Sequence, residues 1–128
     1  MKIDAIGVTS RNLVKSVAFY TVLGFKFRKP KVDDLHIEAK RRAGEPRFMI
    51  DSAKLMTEII GAPSRPANHA AFALLCKNAK EVDAVAAKVK KAGFKIEKKP
   101  WDAVWGQRYA VVRDPDGYLV DLFAPLKK

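Results

Sequence analysis

The chain is poor in the residues that staple or ligate. Among its 128 residues there is one cysteine, Cys76, and there are two histidines, His36 and His69. A single cysteine excludes an intramolecular disulfide and any cysteine-based zinc cluster, and it fits a reduced, cytoplasmic setting. Neither histidine shows the paired spacing of a zinc-protease motif, and no phosphate-cradling or dinucleotide-binding glycine pattern is present. The longest uncharged stretch, around His69, falls far short of the roughly 20 apolar residues of a membrane-spanning helix. Asp4 and Arg11 interrupt the N-terminal apolar run, so no secretory signal is expected there. Acids are scarce as well: 14 Asp and Glu stand against 25 Lys and Arg, a net charge of +11. Such an excess suits nucleic acid, an anionic ligand or solubility alone. The basic residues are dispersed, with Lys40-Arg41-Arg42 the one triple, and no helix-turn-helix or zinc-finger pattern accompanies them, which ranks nucleic acid last.

What is present reads as one pattern stated twice. Residues 3–9 form a short apolar run. A helical segment follows with Leu13, Val17 and Tyr20 on one face, stopped at Gly24. Phe25–Phe27, Leu35–Ala39, Arg47–Ile50 and Leu55–Ile60 are each short enough to be strands. After Pro63 and Pro66 the order returns. Residues 69–75 are strand-like, and Asn78 with Glu81 marks a capped helix start. Val82, Val85, Ala86 and Val89 make an amphipathic stripe ending near Gly93. Phe94–Ile96, Gln107–Arg113 and Tyr118–Phe123 supply further strands, the last two joined by Asp114-Pro115-Asp116-Gly117, whose order suits a type I turn. The expectation is an α+β chain: one strand–helix–three-strand module over 1–62, a linker at 63–66, and a second module over 67–128. Each is too small to bury much surface alone.

Several segments carry a resemblance. Ile3-Asp-Ala-Ile-Gly-Val-Thr9, Ser16-Val-Ala-Phe-Tyr20 and Leu23-Gly-Phe25 resemble the opening of the vicinal oxygen chelate superfamily, the group of glyoxalases, bleomycin-resistance proteins and dioxygenases. Trp105-Gly-Gln-Arg-Tyr109, Arg113-Asp-Pro-Asp-Gly117 and Leu119-Val-Asp-Leu-Phe123 are similar to the end of its second module. The resemblance implies paired βαβββ modules whose sheets curl into a cup, and homodimers that share it. In the enzymes of the group the cup holds a divalent metal on a His or Gln from a first strand and a Glu from a last strand, contributed twice.

Those positions fall on Ala5, Glu58, His69 and Asp121. Alternation along the strands sets His69 opposite Phe72 and Leu74, and Asp121 opposite Val120 and Leu122, so both side chains are expected to leave the helix-packed face. Glu58, His69 and Asp121 could together hold Fe, Mn, Ni or Zn. Ala5 offers no lone pair, and the three could equally be polar residues lining a site for an organic molecule. His36 and Glu38 share a strand face and are a second candidate pair, or plain surface polarity. Trp101, Trp105, Arg108 and Tyr109 lie close together in sequence, and such side chains grip planar or anionic molecules by stacking, cation–π contact and paired hydrogen bonds. In bleomycin-resistance-like relatives a similar segment walls the ligand groove. Gly106 between them would let a ligand or strand approach the backbone. Cys76 reads as a small buried apolar residue.

Two functions compete on these residues. One is a homodimeric small-molecule-binding protein with no obligatory metal. The other is a metal-dependent lyase, isomerase or dioxygenase, in which Glu58 or Asp121 could serve as base. Bleomycin-type ligands are cationic, so a +11 chain suits them only if its acids gather at the site while Lys88, Lys90, Lys91, Lys95, Lys98 and Lys99 face solvent.

Overall fold

A computed structural model of the chain describes residues 3–63, 65–66 and 72–127. The chain divides into two compact units, Met1–Arg65 and Pro66–Lys128.

In the first unit the order is β1 (Ala5–Ser10), α1 (Leu13–Val22), β2 (His36–Glu38), β3 (Arg47–Ser52) and α2 (Ala53–Ile60). The sheet runs β1-β3-β2, with β1 parallel and β2 antiparallel to β3. Asn12 opens α1 by accepting the Lys15 amide on its side chain, which satisfies a donor that the first turn leaves free. Val8, Ile37, Phe48 and Ile50 are buried together with Leu13, Val17, Phe19 and Tyr20 of the helix. The Tyr20 ring lies 4.7 Å from that of Phe48, and Phe25 stacks on Phe48 at 4.8 Å. The alternate residues Arg47, Met49 and Asp51 therefore point to the other face, with His36 and Glu38 beside them.

Two strands expected here do not form. Leu55–Ile60 is the body of helix α2. Ser52 caps that helix by accepting the Leu55 amide, and Gly61, at φ 82°, closes it with a bond from its amide to the Thr57 carbonyl. A six-residue apolar run fits strand and helix alike, and the two caps decide for the helix. Phe25–Phe27 is not a strand either; its one bond to a neighbouring extended segment among the described residues runs from the Lys40 amide to the Lys26 carbonyl at 2.7 Å, and the Phe25 amide turns back to the Tyr20 carbonyl.

The second unit keeps the full strand–helix–three-strand order: β4 (Phe72–Leu75), α3 (Ala79–Lys91), β5 (Lys95–Ala103), β6 (Gln107–Arg113) and β7 (Leu119–Pro125). Its sheet runs β4-β7-β6-β5, with β4 parallel to β7 and the rest antiparallel. Asn78 accepts the Glu81 amide, while Glu81 reaches back to the Lys77 amide. Val82, Ala86 and Val89 on α3 are buried with Ala110, Val112, Val120, Leu122 and Ala124 of the sheet. In the β6–β7 turn, Asp114 accepts the amides of Asp116 and Tyr118 and receives the Gly117 amide on its carbonyl. The unit is thus an α+β layer with its core on one face of the sheet and half-buried side chains on the other.

Candidate functional site

Strand register builds that second face. Trp101 on β5 pairs with Tyr109 on β6, and Tyr109 with Phe123 on β7, so three aromatic side chains stand in a row across the sheet. Val112 and Val120, which alternate with Tyr109 and Phe123 by an odd number of residues, are buried on the opposite face. Ring centroids are 5.4 Å apart for Trp101 and Tyr109 and 6.0 Å apart for Tyr109 and Phe123. Trp105, from the turn between β5 and β6, completes the group at 5.4 Å from Tyr109 and 6.0 Å from Trp101. Its indole N–H donates to Gln107 Oε1 at 2.9 Å, which fixes the ring, yet 57% of the residue remains exposed. The Lys98 ammonium caps the Trp101 ring at 4.0 Å. Gly106 sits in the turn at φ 89° with nothing within 4 Å of an added Cβ. Its φ suits the left-handed turn, and its carbonyl accepts the Leu126 amide at 2.9 Å, so the chain leaving β7 does approach this backbone.

One polar pair anchors the row. Tyr109 donates its hydroxyl to Asp121 Oδ2 at 2.6 Å. Burial first, and then the hydrogen bond to and charge of Asp121, push the Tyr109 phenol up to about 12. It is a proton donor throughout the physiological range. Phe123 was not singled out from sequence, and Lys98 was expected only to face solvent. The alternation of Phe123 with Asp121 would have found the first, whereas the second depends on a register irregularity in β5.

Arg108 parts company with these aromatics. It pairs with Asp102 across β5–β6, and its guanidinium bonds Asp102 at 3.1 Å and Asp83 of α3 at 2.9 Å. Its side chain therefore lies on the helix side of the sheet, turned away from the aromatic row.

In the first unit a chain of charges crosses the open face of the sheet. Arg47 bonds Asp4 and Glu38, each at 2.9 Å, and His36 bridges Glu38 through Nε2 at 2.9 Å and Asp51 through Nδ1 at 2.6 Å. The Asp51 hydrogen bond chiefly raises the His36 pKa, against some desolvation, and the His36 hydrogen bond chiefly holds Glu38 low. Two carboxylate acceptors on one ring call for N–H on both nitrogens, the imidazolium form. With both nitrogens so engaged, the expected His36–Glu38 pair acts here as an ion pair. Arg47 and Asp51, missed from sequence, alternate along β3 with buried Phe48 and Ile50, and that pattern was the available signal.

These features have relatives. The family model for the glyoxalase/bleomycin resistance protein/dioxygenase superfamily matches residues 2–122. The chain belongs to that superfamily. A glyoxalase-related enzyme from Fulvimarina pelagi is similar in structure at TM-score 0.82 and 18% identity, over 97% of this chain and 88% of that one. A glyoxalase/bleomycin resistance protein/dioxygenase family enzyme from Burkholderia phytofirmans PsJN matches at 0.81 and 16%, over 98% and 100%. A lactoylglutathione lyase from Agrobacterium tumefaciens matches at 0.70 and 17%, over 96% and 92%. At these identities the likeness shows the fold alone. No curated protein matches the sequence.

Members of the superfamily that use a metal need donors where this chain is depleted. Ala5, on β1, presents a methyl group. Glu58 lies exposed on α2 instead of on a sheet strand, which corrects the strand position expected for it. Asp121 stands on β7 on the face away from α3, as its alternation implied, but one of its oxygens accepts the Tyr109 hydroxyl. His69 lies outside the described residues. Among the described residues no group of three or more His, Cys, Asp or Glu side chains is arranged to hold a metal ion. Among the described residues, Ala5 and Glu58 do not supply the donors expected of them. Cys76 is a buried free thiol whose pKa is raised by burial, consistent with an inert apolar role. Among the described residues no helix is long and apolar enough to cross a membrane.

Proposed function

We propose that this superfamily member binds a small, planar organic molecule on the aromatic face formed by Trp101, Trp105, Tyr109 and Phe123, without an obligatory metal. The observation that carries the reading is the half-exposed Trp105 ring, held by Gln107 and backed by an aromatic row that continues across three strands. Flat rings with one exposed face suit a conjugated ligand by offset or edge stacking, each good contact contributing about 0.5–1.5 kcal/mol beyond area burial. Asp121 and the Lys98 ammonium supply acceptor and cation at the margins, so a ligand with polar substituents can be oriented. The protein acts as a homodimer in a reducing, cytoplasmic setting. Leu75, 69% exposed on β4, and the fully exposed Val104 beside Trp105 are apolar surface of this unit that a second copy or a ligand would cover.

The second reading is a metal-dependent lyase, isomerase or dioxygenase. It retains Asp121 and His69 as donors but lacks one at Ala5. Metal analysis of freshly purified protein, run beside a thermal-shift screen of planar organic compounds, separates the two. Substoichiometric transition metal together with stabilisation by an aromatic compound is expected. A full metal equivalent lost in His69→Ala would replace the first reading with the second, and a monomer by light scattering would remove the dimer.

A further inference from the structure

Part of the +11 charge gathers in the first unit. In the first unit the Lys40 amide bonds the Lys26 carbonyl at 2.7 Å, which places two lysines side by side on neighbouring extended segments. Like charges so paired repel. Phe25, stacked on Phe48, and buried Ala39 hold both backbones in place, so the two cannot drift apart by backbone fraying. Among the described residues neither lysine has a hydrogen bond or ion pair on its side chain. The nearby arginines are already engaged: Arg28 is paired with Asp34, and Arg42 with Glu45.

Two hollows meet at this pair. The larger, about 520 Å³, is lined by Lys26, Arg28, His36, Glu38 and Lys40 among others. The smaller, about 280 Å³, is lined by Gly24, Phe25, Lys26, Lys40, Arg41 and Arg42. Lys26 and Lys40 line both. The one carboxylate on the rim of either hollow, Glu38, is neutralised by Arg47 and His36.

We propose that Lys26 and Lys40 form the anion-holding pair of a second binding site, which takes a small phosphate-bearing ligand with two adjacent anionic groups, one toward each hollow. The two ammonium groups are strongly hydrated point charges that suit phosphate oxygens. A multiply charged anion between them turns mutual repulsion into two attractions. Arg41, which lines the smaller hollow, extends the positive field. Free polyphosphate and a phosphorylated metabolite share this chemistry. A nucleic acid strand is the competing polyanion; Phe25 and Phe48 are stacked on each other, which leaves Phe27 in the larger hollow as the one ring of these three without a stacking partner, and a run of bases needs a series of such platforms.

Isothermal titration with inorganic pyrophosphate tests the site, in about 0.15 M salt, where the Debye length of about 8 Å screens diffuse attraction. Saturable binding with one equivalent per chain is expected. Lys26→Gln/Lys40→Gln, which keeps most of each aliphatic stem, should weaken it about tenfold or more, a loss of about 1.4 kcal/mol. Lys88→Gln/Lys90→Gln on α3 should leave it unchanged. Non-saturating heats, or equal loss in both double variants, would overturn the proposal in favour of diffuse charge. Tighter binding of a single-stranded oligonucleotide, with a steep salt dependence, would overturn it in favour of nucleic acid. ADP in place of pyrophosphate distinguishes a phosphorylated metabolite from free polyphosphate by its relative affinity.

Discussion

The Tyr109 hydroxyl donates to Asp121 Oδ2 at 2.6 Å, across adjacent strands and at the centre of an aromatic row. The bond holds the Tyr109 ring at a fixed tilt between Trp101, Trp105 and Phe123. It also sets a stability signature at high pH. The folded-state pKa is raised from the ordinary 10 to about 12. The stabilisation is therefore fully present below about pH 10 and is lost as pH rises through about 12. Spectrophotometric titration should show a tyrosine step near pH 12, and Tyr109→Phe should reduce its amplitude by one tyrosine. The same substitution should cost about 1–2 kcal/mol in denaturant unfolding at neutral pH, since it leaves Asp121 without its donor. A variant as stable as the wild type would show that water replaces the bond at no cost.

His36 gives the opposite end of the pH scale. Its pKa is raised, foremost by the hydrogen bond to Asp51. Stability from this group is present below its unfolded value of about 6.5 and falls as pH rises through the higher folded value. The side chain is 41% exposed, so solvent screening holds the effect to under about 1 kcal/mol. Unfolding free energy measured across neutral pH should decline gently in the wild type and stay flat in His36→Gln. A flat wild-type profile would show that the imidazolium bridge does not persist in solution.

Arg108 offers a test of face assignment. Its bonds to Asp83 and Asp102 place it on the helix side of the sheet. Arg108→Ala should cost under about 1 kcal/mol, as exposed ion pairs do, and leave the affinity for an aromatic ligand unchanged. A large loss of affinity with unchanged stability would bring Arg108 back to the ligand.

Helix caps were the most legible part of the fold, and one of them marks the largest misreading. Asn78 and Glu81 announce α3 three residues apart, and Asn78→Ala should cost about 1 kcal/mol by chemical denaturation. Ser52 is as good a cap for α2, yet it sits inside Arg47–Ser52, whose alternation already satisfies a strand. The run Leu55–Ile60 then looks like more strand, and Glu58 follows it onto the wrong element. Asp121 was placed correctly because Val120 and Leu122 flank it on the buried face of β7, a period of two with no competing reading. Arg108 could not be placed from sequence proximity to Trp105 and Tyr109, because successive strand residues point to opposite faces. Nor does alternation reveal partners across strands, such as Asp51 for His36, which depend on register.

Both tryptophans of the chain, Trp101 and Trp105, lie in the aromatic row, so tryptophan fluorescence, excited selectively near the red edge, reports on the proposed site. The most direct measurement is a fluorescence titration of the wild type and Trp105→Ala with a planar compound from the thermal-shift screen. Saturable quenching is expected, with affinity reduced about tenfold or more in the variant while its melting temperature changes little, Trp105 being largely exposed. Unchanged affinity together with a large fall in stability would contradict ligand binding on this face and return Trp105 to packing.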